Sequence, residues 1–306
     1  MKTKKTKKKI PQFFINAFYE SKFKDSLFVV KASGKVIEDE KARDNLISNI
    51  RELTHHGIKV LLIYGAGKAI DELASARGIE VKKHNGRRIT TKDDLQVLLD
   101  VVGGNLSPKI YESMAKNELE GLSLNAIPAD WMDIALRPKK PVNFGFVGDI
   151  HATFSRPVNR LFRTVDFIAC PCIAWAANDK TLCNINADTI ATEIAIATKA
   201  NKLIFLSDVD GVKIKNKTAF ILTAEEIPGL IKNGTITGGM QVKTENCIRA
   251  LGAGVKRIHL INGLRSDALR KEIFESVGPG TMLITEDERE HYMNEVEAQK
   301  VLEAQR

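Results

Sequence analysis

The chain has 306 residues, of which 43% are hydrophobic and 27% are charged, a composition that excludes collagen-like and intrinsically disordered proteins. Its net charge is +8, but six of these charges come from lysines among the first nine residues. The basic charge therefore belongs to a tail, residues 1–12, which we expect to be a disordered solubilising arm. A nucleic-acid or membrane-surface contact through this tail is the alternative, and we do not expect either as a partner of the fold.

The four cysteines and the lack of a long apolar run indicate in which cellular compartment the protein is expected. Cys170, Cys172, Cys183 and Cys247 have no paired spacing, so they are expected to be small apolar core residues in a reducing environment. The longest uncharged apolar stretch, Phe167–Ala177, is too short to span a bilayer. Nothing in the sequence resembles a signal or transit peptide. We therefore predict a cytoplasmic protein without a bound structural metal.

Short apolar runs alternate with longer segments of helical period along the chain. An aromatic stripe at Phe14 and Phe18 marks a first helix, over residues 13–25, that is expected to pack within the molecule or against another subunit. The predicted strands cover residues 27–31, 58–64, 165–176, 202–209 and 256–262. The predicted helices cover residues 39–56, 67–77, 187–200 and 239–252, with a last charged helix over residues 286–306.

The order of these elements predicts the fold class. Strands that alternate with helices, and that are apolar almost throughout, form a mainly parallel sheet covered on both faces. The expected fold is α/β, a three-layer α/β/α sandwich around an open sheet. Ligands of such sheets bind beyond the carboxyl ends of the strands, so the residues after each apolar run are the candidates for a site.

Two glycine-bearing turns follow the first two strands. They are "KASG" at residues 31–34 and "YGAG" at residues 64–67, and the second opens directly into a helix. Backbone N–H groups and the helix dipole make such a turn suitable for a phosphate, although an ordinary tight turn explains it as well. Neither turn has the spacing of a P-loop or of a dinucleotide-binding fingerprint.

Further along, the segment "NGRRIT" forms a turn that presents two arginines, and one guanidinium could bind a carboxylate bidentately. In "CNINADT", Asn184, Asn186 and Asp188 alternate along an extended stretch and therefore share a face as the chain enters a helix. Such a polar face at a strand end needs a ligand or a hydrogen-bond network.

A lysine stands early in the helix that follows "TGG". Lys243 lies within its first two turns, where a cation opposes the helix dipole unless an anion is bound nearby. The segment "SDVDG", at residues 207–211, suggests calcium at first sight. The glutamate that an EF-hand loop requires is missing, so a loop at the end of a strand is the better interpretation.

These motifs, in this order, resemble the amino acid kinase family, in particular its members that phosphorylate N-acetyl-L-glutamate in arginine biosynthesis. The resemblance covers about residues 27–285. The family's lysine-and-glycine first turn corresponds to "KASG", its second glycine turn to "YGAG", and its NGxRVT segment to "NGRRIT", which makes Arg88 the substrate arginine. Its NxNAD, SDVxG and GGMxxK segments match "NINAD", "SDVDG" and "GGMQVK".

The resemblance implies the roles of these residues. ATP, with Mg²⁺, would bind over the later part of the sheet, and the acetylated amino acid over the earlier part. The implied catalytic residues are Lys31, Lys243 and Asp188. The implied substrate ligands are Gly65, Ala66, Arg88, Asn184 and Asn186. The implied phosphate ligands are Ser33, Gly34, Gly65 and Gly67. The implied nucleotide ligands are Ser207, Asp208, Gly211, Gly239, Met240 and Lys243.

The glycine turns depart from the family pattern. Ser33 and Ala66 replace family glycines, and Tyr64 and Lys68 replace the usual histidine and proline. Each substitution of a glycine adds a Cβ near the phosphate and disfavours positive φ, so we expect an altered phosphate site.

The resemblance also implies a domain order and an effector. The segment "EIFESVGPGTMLI" is similar to the end of the arginine-inhibited members, which implies an arginine site that includes Glu272 and Gly280. The kinase domain would span residues 13–285, with an acetylamino-acid lobe over about residues 27–190 and an ATP lobe over residues 191–285. A homo-oligomer is expected, either a dimer or a hexamer linked through the first helix.

Two other functions remain open from the sequence. The chain could be the kinase-like, arginine-binding domain of an N-acetylglutamate synthase, in which case the charged last helix could lead to a further domain. It could also be a family kinase for another substrate, such as aminoadipate-type, aspartate, carbamate or nucleoside monophosphate kinases.

Overall fold

The strands of a mainly parallel sheet form the centre of the computed structural model, which describes residues 21–84, 86–275 and 277–303. The central strands are buried along almost their whole length, so both faces of the sheet must be covered. The strands are β1 Leu27–Ala32, β2 Lys59–Tyr64, β3 Lys83–His84, β4 Arg87–Arg88, β5 Leu122–Ser123, β6 Met132–Leu136, β7 Gly148–Thr153, β8 Phe167–Pro171, β9 Ile173–Ala176, β10 Thr181–Asn184, β11 Lys202–Ser207, β12 Lys213–Ile214, β13 Lys217–Thr218, β14 Ile221–Thr223, β15 Arg257–Asn262 and β16 Thr281–Ile284.

Eight strands form the central sheet in the order β14-β16-β15-β11-β1-β2-β8-β5. All neighbouring pairs in it are parallel except β15 and β16, which run antiparallel. β1 lies between β2 and β11, with Lys31 in register with Ile63 and Phe205. The carboxyl ends of β1, β2, β8, β11 and β15 therefore share one edge of the sheet.

The helices follow the strands as the parallel topology requires. They are α1 Gly34–Glu38, α2 Glu40–His55, α3 Gly67–Ala76, α4 Lys92–Val101, a π-helical turn Val102–Leu106, α5 Ser107–Lys116, α6 Ser155–Leu161, α7 Ala187–Thr198, α8 Ile227–Lys232, α9 Gly238–Gly252, α10 Ala268–Phe274 and α11 Glu286–Glu303. α2 contacts β2, α5 and α10, whereas α7 contacts β1, β2, β11 and α9. The predicted three-layer α/β/α fold is confirmed.

The strand predicted over residues 165–176 is wrong as a single element. The structure divides it at Cys172 into β8, which lies in the central sheet, and β9, which pairs with β10 in a separate antiparallel hairpin. Both parts are apolar and mostly buried, so the change of sheet leaves no break in the hydrophobic pattern. The four cysteines are buried free thiols, as predicted.

Several predictions fall outside the described residues. These are the lysine-rich tail, the aromatic stripe with Phe14 and Phe18, and most of the predicted first helix. Phe23, just after them, packs edge-on against the rings of Phe28 and Phe274 in the core. The predicted boundary between two lobes stays a prediction. No helix in the part of the chain that the structure describes is long and apolar enough to cross a membrane.

Candidate active site

Two lysines from distant parts of the chain meet at one carboxylate. Lys31, near the end of β1, lies 2.7 Å from Oδ1 of Asp188 on the first turn of α7, and Lys243 on α9 lies 3.6 Å from Oδ2. The Lys243 ammonium also lies 5.0 Å from the centroid of the Phe205 ring. Burial alone would raise the pKa of Asp188, but the charges of the two lysines lower it below its ordinary value. Asp188 therefore stays ionised and holds both ammonium groups together.

A cavity of about 670 Å³ opens beside this ion pair. The predicted site residues on its wall are Lys31, Gly34, Gly65, Ala66, Gly67, Arg88, Asn184, Asn186 and Asp188. The structure thus brings the predicted substrate residues into one concave space. Its size is within the range of cavities that bind small metabolites.

Arg88 is placed in this cavity by the β3–β4 hairpin. Its side chain is 10% exposed, and Nη2 pairs with the carboxylate of Asp71 and donates to the carbonyl of Gly67. Nη1 is buried and has no hydrogen-bond partner among the described residues. Burial of Asp71 favours a higher pKa, but hydrogen bonds from Lys83 and Arg88 bring the pKa below its ordinary value. Arg88 is thus held in position with one buried nitrogen left to donate to a ligand.

The "NINAD" segment forms the opposite part of the wall. Asn184 donates from Nδ2 to the hydroxyl of Thr90 at 3.3 Å. The N-cap of α7 is Asn186, whose side chain accepts the N–H of Thr189 at 3.0 Å. Because Asn186 caps the helix, Asp188 is left to bind the lysines.

Ser33 and Ala66 do not cause the expected backbone strain. Their φ angles are −70° and −140°, so neither position needs a glycine for positive φ. Ser33 does not line the cavity, and its N–H donates to the carbonyl of Leu206 at 2.9 Å. The N–H of Gly65 is likewise bound to the carbonyl of Ala32 at 3.3 Å. These two amides are part of the backbone network, and Ser33 as a phosphate ligand stays a prediction.

Gly34 is the position where the two turns come closest. A Cβ added there would lie 2.8 Å from Oε1 of Glu38 and 3.0 Å from the backbone nitrogen of Gly67. Glu38 cannot simply move away, because it accepts the N–H of Ala69 at 3.0 Å in the first turn of α3. The missing side chain at Gly34 therefore lets the turns after β1 and β2 pack together.

Replacing Gly34 by alanine should destabilise the fold by about 1–3 kcal/mol, since the added Cβ overpacks this contact. Gly229→Ala in α8 is the matched control, because a Cβ there meets no atom within 4 Å. Denaturant unfolding of both variants measures the difference. Equal stability of the two variants would contradict the packing role of Gly34.

The predicted nucleotide residues lie outside this cavity. Ser207 ends β11 and Asp208 follows it, whereas Gly239, Met240 and Lys243 belong to α9. Gly211 has φ +130°, and a Cβ there would lie 2.4 Å from the hydroxyl of Thr281. The glycine at 211 is thus required by packing, and a nucleotide role for this group stays a prediction.

The sequence reasoning missed two side chains of α9 that line the cavity. Asn246 and Arg249 follow Lys243 at intervals of three residues, so each lies next to the preceding one on the surface of the helix. Arg249 donates from Nη2 to Glu193 at 2.7 Å. The spacing from Lys243 is a signal that could have identified both residues.

A second missed pair comes from the β6–β7 hairpin. Arg137 and Asp149 both line the cavity, and Nε of Arg137 donates to both carboxylate oxygens at 3.1 Å. The guanidinium also stacks 4.9 Å from the centroid of the Phe144 ring. No spacing in the sequence indicated that this hairpin folds over the site.

A buried charged cluster lies at the opposite edge of the sheet. Nζ of Lys202, at the start of β11, is 3.1 Å from Nε2 of His259, and Nδ1 of His259 is 2.8 Å from Glu272. The other oxygen of Glu272 accepts the N–H of Gly280 at 3.0 Å. Burial lowers the pKa of Lys202 to about 7, raises that of Glu272 to about 7 and keeps His259 neutral. The two predicted effector residues thus belong to one hydrogen-bonded cluster.

A second cavity, of about 370 Å³, adjoins this cluster. Lys202 and Arg257 line it, together with Glu288 and Glu295 of α11. The Arg257 guanidinium binds both of these carboxylates, with distances of 2.6 Å to Glu288 and 2.8 Å to Glu295. The space has room for a ligand the size of an amino acid.

Comparison with known proteins decides the family, because residues 26–262 match the amino acid kinase family. The chain belongs to this family. The acetylglutamate kinase of a Nitratiruptor species is 34% identical over 286 residues, which are 92% of this chain and 99% of that protein. The acetylglutamate kinase of Campylobacter hominis is 34% identical over 281 residues, 90% of this chain and 98% of that protein.

Solved structures also align with most of this chain. An N-acetylglutamate synthase from Neisseria gonorrhoeae, complexed with coenzyme A and N-acetyl-glutamate, aligns with a TM-score of 0.79 at 21% identity. The alignment covers 90% of this chain and 63% of the synthase. Carbamate kinase from Giardia lamblia bound to AMP-PNP aligns with a TM-score of 0.58 at 17% identity, over 86% of this chain and 99% of that one. At these identities the likeness establishes the fold.

Proposed function

We propose that this chain is an acetylglutamate kinase, which transfers the γ-phosphoryl group of ATP to the side-chain carboxylate of N-acetyl-L-glutamate. The product is an acyl phosphate of arginine biosynthesis. The observation that carries the proposal is the ion pair of Lys31 and Lys243 with Asp188, beside a cavity that also contains Arg88. Kinase relatives of the same family at 34% identity support it.

The attacking carboxylate of the substrate is already ionised at pH 7, so the site needs no general base. The protein's contribution is to position the reactants and to stabilise the charge of the transferring group. Lys31 from β1 and Lys243 from α9 would contact the phosphoryl oxygens from two sides, while Asp188 keeps the two ammonium groups at a fixed separation.

Arg88 and Asn184 would hold the α-carboxylate of the substrate. The free Nη1 of Arg88 is buried, and a carboxylate that binds it gains a charge-assisted hydrogen bond in a low-dielectric environment. With the α-carboxylate fixed there, the side-chain carboxylate would extend along the cavity toward Lys31, which lines the same wall.

ATP would bind beyond the carboxyl ends of β11 and β15, at Ser207, Asp208 and the start of α9. Mg²⁺ would enter with the nucleotide, because this ion is commonly held by phosphates and water together with one or two carboxylates. The ion would supply neutralisation of the phosphate charge.

The test is ATP-dependent trapping of an acyl phosphate with hydroxylamine, across a panel of acids that includes N-acetyl-L-glutamate, aminoadipate, aspartate and carbamate. Hydroxamate formed with N-acetyl-L-glutamate supports the proposal. Hydroxamate with another acid alone would make the chain a different family kinase. No hydroxamate with any acid, together with arginine binding, would make it the regulatory domain of a synthase, a protein of the kind that Neisseria gonorrhoeae has.

We further propose that arginine is an effector, with its carboxylate on Lys202 in the cavity of about 370 Å³ and its guanidinium toward Glu272, which lines the small space adjoining this cavity. A buried carboxylate is a natural partner of a guanidinium, and an arginine that binds Glu272 would replace the contact of one carboxylate oxygen with His259 or with the N–H of Gly280. The N-acetylglutamate synthase of Neisseria gonorrhoeae solved in complex with L-arginine supports arginine as the ligand. A homo-oligomer, dimer or hexamer, is proposed with it and is measurable by light scattering with and without arginine.

Arginine affinity should pass through a maximum near pH 7 and weaken on both sides. Below about pH 7 Glu272 takes up a proton and loses its charge, and above about pH 7 Lys202 loses its proton and its charge. Besides burial, Arg257 and Lys22 lower the pKa of Lys202, whereas Glu272 and Glu295 raise it, so the two limbs belong to the whole cluster. Calorimetric titration of arginine between pH 5.5 and 9 measures the profile.

Glu272→Gln should remove the acid limb of this profile, and Lys202→Met the alkaline limb. Wild-type affinity that is constant across this range would contradict the assignment of the effector to this cluster.

A further inference from the structure

Lys35 directly follows the first glycine turn, yet none of the roles above uses it. It follows Gly34 on the first turn of α1, and its ammonium pairs with the carboxylate of Asp208, the residue after β11. The pair is half-exposed, with 56% of the Lys35 side chain and 40% of the Asp208 side chain accessible. An ion pair this exposed contributes little to the stability of the fold. Its position beside the candidate active site therefore indicates more about its role than its energy does.

The ion pair of Lys35 with Asp208 lies near the charged residues Lys31, Asp188 and Lys243 of the active site. Lys31 and Lys243 flank Asp188, and the hydrogen bond from Lys35 is the main cause that lowers the pKa of Asp208, to which the charge of Lys243 adds a smaller effect. β1 and β11 are neighbours, with Ala32 in register with Leu206, so the turns that leave them emerge side by side. Lys35 is therefore on the β11 side of Lys31, toward the strand end proposed for the nucleotide.

Two backbone amides, one in each glycine turn, already have acceptors within the protein. The N–H groups of Ser33 and Gly65 are bound to the carbonyls of Leu206 and Ala32. A side-chain ammonium with three donors can take their place, and a lysine can change partners because it does not need a planar, bidentate geometry. Lys35 is more exposed than the two lysines that bind Asp188, with 56% of its side chain accessible against 13% for Lys31 and 20% for Lys243.

We propose that Lys35 binds the β-phosphate of the nucleotide, leaving Asp208 when the nucleotide enters. This inference rests on the proposed kinase function. Lys31 and Lys243 would hold the γ-phosphoryl group at Asp188, and the next phosphate toward the end of β11 would meet the ammonium of Lys35. Asp208 keeps that ammonium beside the phosphate site while no nucleotide is bound.

The test is direct binding of ATP, ADP and adenosine to the full chain by calorimetry, without the acid substrate. Lys35→Met should lower the affinity for ATP and for ADP about tenfold, which is the effect of losing one charge-assisted hydrogen bond. The affinity for adenosine should stay unchanged. Lys35→Arg should restore affinity to within about threefold, because a cation remains. The control is Lys116→Met, which removes a comparably exposed lysine paired with Glu112 on α5.

Each outcome decides the inference. Unchanged ATP and ADP affinity in Lys35→Met overturns it, as does an equal loss for adenosine. Asp208→Asn breaks the same ion pair as Lys35→Met but keeps the lysine. If the pair were purely structural, the two variants would have the same melting temperature and the same nucleotide affinity. That result would also overturn the inference. Failure of the kinase proposal is separate, because then the wild-type chain itself would form no hydroxamate with any acid.

Discussion

Replacing either Lys31 or Lys243 by alanine should lower kcat by about 10²-fold or more, because each removes one preorganised cation from the transferring phosphoryl group. The two lysines come from elements more than two hundred residues apart and meet only at Asp188. Hydroxamate formation under saturating ATP and N-acetyl-L-glutamate measures the loss.

Lys68→Ala is a matched control for this experiment. Lys68 lies on the first turn of α3 at the same edge of the sheet, but it is 63% exposed and pairs with Glu72 of its own helix. Its removal should leave kcat within about twofold, as expected for an exposed helix pair. Rates within severalfold of wild type for both Lys31→Ala and Lys243→Ala would refute the proposed catalytic roles.

Arg88→Ala should raise KM for N-acetyl-L-glutamate about 100-fold, since it removes a buried partner of the substrate carboxylate. The KM for ATP should change little, because Arg88 belongs to the β3–β4 hairpin, which is separate from the central sheet that contains β11. Steady-state kinetics with each substrate varied in turn separates the two effects.

The neighbouring arginine provides the comparison. Arg87 is the exposed member of the β4 pair, whereas Arg88 is 10% exposed and fixed by Asp71. Arg87→Ala should therefore raise KM by much less than Arg88→Ala. A larger effect for Arg87 than for Arg88 would move the carboxylate site to the other guanidinium and contradict the motif alignment.

The central sheet was predictable because burial on both faces leaves a long apolar run in each strand. That signal does not report which sheet a strand joins, so the run ending at Ala176 concealed the transition from β8 to β9. Local patterns were also sufficient to place polar residues at the carboxyl edge. They contained no information on the pairing of Lys31 with Asp188, which depends on the packing of α7 against β1 and β11.

The two glycine turns show where the sequence suggested a constraint at the wrong residues. Ser33 and Ala66 suggested strain because their family counterparts are glycines, but their φ angles are negative. The position that cannot accept a side chain is Gly34 instead. A Cβ there would lie too close to Glu38 and to the backbone of Gly67 in the second turn. A constraint that depends on the distance between two segments cannot be read from either segment alone.

The strand β11 has a consequence for communication through the molecule. Its first residue, Lys202, belongs to the buried cluster with Glu272, and its last, Ser207, precedes Asp208 at the active edge, so the two ends are only about 17 Å apart. β11 is hydrogen-bonded in register to β1 on one side and to β15 on the other, and it cannot slide without them. A displacement at Lys202 would therefore move this block together and carry Lys31 with it. The β3–β4 hairpin with Arg88 stands outside the block, so an effector at the far edge would act on phosphoryl transfer more directly than on recognition of the amino acid.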